Sequence, residues 1–72
     1  MTLDNTIVVQ VNGSPQEVPA ASSLAAVLDA LGIARDGVAV ALDARVIPRG
    51  EYATTVVEKG DRLEILRAVG GG

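Results

Sequence analysis

The sequence predicts an α+β domain in which a mixed, curled sheet of four to five strands wraps one main helix. Three observations carry that prediction. Residues 6–11 form a β-branched run that ends in Asn12-Gly13, the strongest short hairpin signal. Only residues 22–32 show helical apolar spacing over several turns. The later apolar runs are short and broken by turn formers, so the order reads β-β-α-β-β-β.

In the first strand Ile7, Val9 and Val11 share a face, because side chains alternate along a strand. The second strand returns through Gln16, Glu17 and Val18 between Pro15 and Pro19. Proline cannot donate a ladder hydrogen bond, so this strand belongs at a sheet edge. Leu24, Val27, Leu28 and Leu31 then recur at i, i+3, i+4 and i+7, the stripe of an amphipathic helix. Ser22 or Ser23 supplies an N-cap oxygen, and Gly32 suits the left-handed position beyond the C-terminus. With one helix and one sheet face to cover, the stripe is core. Residues 37–43 form a third strand, Ala44-Arg45 a turn, and Val46-Ile47 a short fourth strand stopped by Pro48. Residues 50–53 form a brief helical turn. Gly60 and Asp61 then turn the chain into a last strand over residues 62–69, and Gly70-Gly71-Gly72 follow it. Residues 1–69 are expected to be one domain and residues 70–72 a flexible tail.

Composition narrows what such a domain can do. The chain has 72 residues, 49% of them hydrophobic, which suffices for an aliphatic core around the single aromatic, Tyr52. Cysteine and histidine are both absent, which removes disulfides, thiolate nucleophiles and the commonest metal ligand and neutral-pH base. No glycine-lysine phosphate loop is present to hold a nucleotide. A net charge of −3 and no aromatic pair argue against nucleic acid. No apolar run reaches the roughly 18 residues of a membrane span, and the start lacks the pattern of a signal peptide, so a cytoplasmic, membrane-free monomer is expected. What remains chemically is the α-carboxylate of Gly72 on a tether without side chains. Four extended residues span about 13 Å, enough to enter a partner's site, and missing Cβ atoms suit a narrow channel.

The element order, the Asn12-Gly13 hairpin, the Leu24/Leu28/Leu31 helix and the glycine ending together resemble the ubiquitin-like β-grasp sulfur carriers. The second half is the most specific part: residues 39–43, Val46-Ile47-Pro48-Arg49, Tyr52, Thr55, residues 59–65 and Ala68-Val69-Gly70-Gly71-Gly72 are similar to the ThiS-like carriers of thiamine biosynthesis. Asp43 stands where asparagine is usual, Tyr52 where tryptophan is usual, and residues 1–5 extend the start. The resemblance implies that the last strand lies beside the first at the sheet centre and that the sheet face opposite the helix meets partner proteins. Alternation places Val8, Gln10, Glu64, Leu66 and Ala68 on that face, with Leu66 as a candidate docking patch.

The resemblance also implies the chemistry. A terminal carboxylate, with a pKa of about 3.5, is ionised at neutral pH and is a poor electrophile. An ATP-dependent activating enzyme would join the Gly72 carboxylate to AMP, and sulfur from a separate donor system would displace AMP to leave a thiocarboxylate. A thiazole synthase would then draw the sulfur, with Gly70 and Gly71 fitting the partners' channels. The chain would be a carrier and co-substrate, not an enzyme. It would bind no cofactor itself, the ATP being used by the activating partner. Three alternatives are a sulfur carrier of the molybdopterin pathway, which Val46-Ile47-Pro48-Arg49 argues against, a ubiquitin-like modifier joined through Gly72, and an interaction module without terminal chemistry.

Overall fold

In the structure, a computed structural model that describes residues 5–67, two hairpins are joined by the strand that comes last in sequence. The elements are β1 (Thr6–Val11), β2 (Ser14–Pro19), α1 (Leu24–Ala30), β3 (Val38–Leu42), β4 (Arg45–Ile47), a 3₁₀ turn over Arg49–Glu51, and β5 (Arg62–Arg67). The sheet order is β2-β1-β5-β3-β4. β5 runs parallel to β1 and antiparallel to β3, so the sheet is mixed and β5 is its central strand, as the β-grasp resemblance implies.

Both hairpins turn on two residues with positive φ, a twist that matches the flanking strands. In the first these are Asn12 (φ 50) and Gly13 (φ 86), between paired Val11 and Ser14. In the second they are Asp43 (φ 50) and Ala44 (φ 70), one residue earlier than the expected Ala44-Arg45 turn, and Arg45 opens β4 opposite Leu42. Aspartate tolerates the left-handed region, whereas Ala44 is strained there by about 1 kcal/mol. Pro15 and Pro19 lie inside β2, opposite Gln10 and Thr6, rather than flanking it. Both are accommodated because β2 is an edge strand.

The helix is stitched to the rest at its first turn. Ser23 is the N-cap, its Oγ accepting from the Ala26 N–H at 3.1 Å. Leu24 N–H donates to Thr55 O and Ala25 N–H to Tyr52 O, so the segment after β4 satisfies donors the helix cannot satisfy itself. At the other end Gly32 (φ 74) donates to Asp29 O and Ile33 N–H to Leu28 O, the paired bonds of a Schellman ending. Leu24, Val27 and Leu28 are fully buried, Leu31 packs at the core's margin, and Ala25, Val9, Val18, Val40, Ile47, Tyr52, Val57 and Leu63 complete the core.

Replacing Leu28 with alanine is expected to cost about 3 kcal/mol, a large part of the 5–10 or so that a domain of this size has. Denaturant unfolding of Leu28→Ala checks this. A loss below about 1 kcal/mol would mean that the helix stripe is not the core.

Candidate functional site

The strand that leads to the glycine ending is held on both sides by turn residues. On the β1 side the ladder carries Gln10 N–H to Asp61 O at 2.9 Å and Asn12 N–H to Leu63 O at 2.8 Å. The main chain of β1 then enters its turn, and the Asn12 side chain takes over. Ile65 N–H donates to Asn12 Oδ1 at 2.8 Å, and Asn12 Nδ2 donates to Ile65 O at 3.1 Å. On the β3 side Asp43 N–H donates to Arg62 O at 2.8 Å and Arg62 N–H to Asp43 Oδ1 at 2.9 Å. β3 pairs with β5 as far as Arg67.

The open face of the sheet carries most of the candidate docking residues, but not as one patch. Leu66 lies opposite Ala39, Glu64 opposite Ala41, and Ala41 in turn opposite Val46. Leu66 and Val46 are each 71% exposed, so an apolar strip runs from β5 across the two alanines to the edge strand β4. Directly opposed side chains have Cβ atoms about 5 Å apart, and Ala39 and Ala41, successive outward residues of β3, lie about 7 Å apart and bridge the two pairs. Val8 is 46% exposed on the same face, yet its carbonyl accepts from Gly60 N–H at 3.0 Å. It is therefore level with a residue six positions before Leu66, about 20 Å away along the strand direction. Gln10 is half-buried beside Arg62, between the two.

Val46, Ala39 and Ala41 were not among the residues expected on this strip. Their signal is the same alternation that located Leu66: with Val38, Val40 and Leu42 facing the helix and Ile47 buried, Ala39, Ala41 and Val46 must face outward. Ala68, Gly70 and Gly71, and Gly72, the expected carrier terminus, lie outside the described residues, as does the expected continuation of the last strand through Val69. Among the described residues, no group of three or more Asp or Glu side chains is placed to hold a metal ion.

Charge gathers where β5 begins. The Asp61 carboxylate accepts from Glu58 N–H at 2.7 Å. Burial pushes the Asp61 carboxyl above its ordinary value of 3.8, and the neighbouring Asp43 adds to the rise, while the Glu58 N–H pulls the other way. Each carboxylate accepts a backbone N–H, Asp61 from Glu58 within the turn before β5 and Asp43 from Arg62 in β5 itself, which is a structural use of the charge.

Comparison with known proteins agrees with this geometry. The sequence matches the ThiS family over residues 9–72. The crystal structure of a thiamine biosynthesis protein (ThiS) from Geobacter metallireducens superposes with a TM-score of 0.79 at 33% identity, covering 92% of this chain and 100% of that one. A thiazole synthase of Magnetococcus marinus is 34% identical over 64 residues, 89% of this chain and 20% of the relative. Another, from Paramagnetospirillum magneticum, is 36% identical over 62 residues, 86% of this chain and 19% of the relative. The chain thus spans about a fifth of the length of the thiazole synthases it matches.

The raised Asp61 carboxyl makes a signed prediction. Its folded value lies above its unfolded value, so the folded state binds the proton more tightly and loses stability as pH rises through and above 3.8. Asp43→Asn removes the like charge while keeping an oxygen for Arg62 N–H and a side chain suited to positive φ. Thermal unfolding should show Asp43→Asn more stable than the parent at pH 7, by less than about 1 kcal/mol because both groups meet solvent. The gain should shrink as pH falls toward 3.8, through the range in which the folded state takes up the Asp61 proton. A gain independent of pH would instead trace to the turn itself.

Proposed function

The chain belongs to the ThiS family, and from that premise we propose that it is a sulfur carrier of thiamine biosynthesis, acted on by partner enzymes rather than an enzyme itself. The observation that carries this reading is that the family match runs through residue 72, so the glycine ending is part of what is matched. In the proposed cycle an activating enzyme joins the Gly72 carboxylate to AMP from ATP, releasing pyrophosphate. A sulfur nucleophile at the sulfide level then attacks the acyl carbon. The carbon–sulfur bond forms, the carbon–oxygen bond to AMP breaks, and a Gly72 thiocarboxylate remains. Activation is needed because a carboxylate is a poor electrophile and its oxygen a poor leaving group, whereas AMP departs readily.

The composition of the chain supports this division of labour. With no cysteine to receive sulfur, no histidine to act as base and no nucleotide loop, it contributes the acyl group and the surface by which partners find it. Glycine at positions 71 and 72 keeps the reacting carbonyl uncrowded for both the adenylate and the attacking sulfur. Gly70 serves as spacer. The likeness to thiazole synthases supports such an enzyme as the acceptor of the sulfur. The strip of Leu66, Ala39, Ala41 and Val46 is the proposed docking surface, because it borders the end of β5 from which the chain continues toward Gly72.

Intact mass after incubation with an activating enzyme, ATP and a sulfur donor should increase by the exchange of one oxygen for sulfur, and deleting Gly72 should abolish the change. No exchange on the parent chain would refute the carrier reading. Leu66→Asp should weaken capture by the activating enzyme or thiazole synthase by about tenfold or more, as expected of an apolar anchor. Val8→Asp, far along the sheet, should leave capture within about twofold. Equal effects of the two substitutions would rule out the strip as the docking surface.

A further inference from the structure

Asn12 does more than turn the chain. At φ 50 its position admits glycine, asparagine and aspartate, and any of these before Gly13 would make an acceptable hairpin. Of the three, asparagine alone carries a donor and an acceptor together. Here both are used, and on one residue: the carboxamide oxygen accepts from Ile65 N–H at 2.8 Å and the carboxamide nitrogen donates to Ile65 O at 3.1 Å. The side chain thus behaves as one more peptide unit of β1, extending the parallel pairing past the point where the main chain bends away.

That extension falls where β5 is least supported. Main-chain pairing with β1 covers Arg62 and Leu63 only, whereas pairing with β3 continues to Arg67. From Ile65 onward β5 is held by the main chain on one side, and on the other by Asn12. A strand held along one edge can swing about that edge, whereas one held along both cannot. Two residues beyond the clamp the described strand ends at Arg67, and residues 68–72 follow.

We propose that Asn12 is a positioning residue for the carrier reaction, its carboxamide clamping β5 at Ile65 and so fixing the direction of the strand's end at Arg67, from which the chain continues toward Gly72. The functional half of this inference rests on the sulfur-carrier reading. The clamp itself does not.

Two variants separate the clamp from the turn. Asn12→Asp replaces only the donating NH₂ by oxygen, keeps the turn, and sets a negative oxygen against the Ile65 carbonyl. Asn12→Gly keeps the turn and removes both bonds, which covers the case in which the first variant folds poorly. Amide hydrogen exchange at Ile65 should rise about tenfold in Asn12→Gly, which removes the acceptor of its N–H, and less in Asn12→Asp, which keeps an acceptor oxygen but loses the bond to Ile65 O, with Val9 and Val40 changing by less than about twofold in both. In steady-state charging by the activating enzyme, kcat should fall by about three- to tenfold while KM holds, because the docking strip is untouched but the terminus is presented in more directions.

An unchanged Ile65 exchange rate in Asn12→Gly overturns the clamp. Faster exchange with kcat unchanged overturns the positioning role. Failure of the parent chain to be charged at all would sink the carrier reading instead, and the Ile65 exchange rates would still decide the clamp.

Discussion

The whole sheet depends on hydrogen bonding by β5. The hairpins β1-β2 and β3-β4 share no strand pairing, and the order β2-β1-β5-β3-β4 joins them only through the strand between. β5 also fills the middle of the core: Leu63 is 1% exposed and lies in the same buried cluster as Val9, Val40 and the helix leucines. Its partners are far away in sequence, so loop closure must precede the contacts that reward it. The two hairpins and the helix are local and can form early, whereas the sheet forms only when its central strand enters.

The same strand is the physical link between stability and the proposed chemistry. A carrier terminus must be able to move, while its root must be firm enough to offer a partner a reproducible approach. β5 meets the second need by being central, with pairing to β1 and β3 and side-chain bonds from Asn12 and Asp43 near its two ends. Both of those residues are the first of a two-residue turn and both sit at φ 50. One local conformation, tolerated by asparagine and aspartate through their short polar side chains, therefore serves twice: it reverses a hairpin and it aims a hydrogen-bonding group at the neighbouring central strand.

What was legible in the sequence follows the range of each interaction. The Asn12-Gly13 turn, a serine cap at Ser22 or Ser23, the Leu24/Val27/Leu28/Leu31 stripe, the Gly32 ending and the edge position required by Pro15 and Pro19 are short-range features, and all appear in the structure, with Ser23 as the cap and Leu31 at the core's margin. The second turn was misplaced by one residue because Asp43 reads equally well as a strand end and as a turn opener. The central place of β5 came from family resemblance, since no local pattern says which strands will be neighbours. Parallel register was equally hidden. For that reason Val8 and Leu66, correctly assigned to one face, prove to be far apart along it. The apolar strip was only half legible because alternation identifies faces strand by strand, and joining Leu66 to Ala39, Ala41 and Val46 needs the pairing between strands. The glycine ending and Ala68 lie outside the described residues, and their roles rest on the family match and on chemistry.

The central position of a late strand also has a meaning on the ribosome. A chain emerging from the exit tunnel presents β1-β2, α1 and β3-β4 in turn, and none of them can close the sheet until Arg62–Arg67 has cleared it. Until then Val9, Val40 and Ile47 have no Leu63 to pack against, and a nascent chain in that condition is exposed to proteases and to aggregation. Completion of the fold is thereby tied to synthesis of the segment that leads into the glycines, so premature termination before β5 leaves two unjoined hairpins rather than a folded body lacking only the residues after β5.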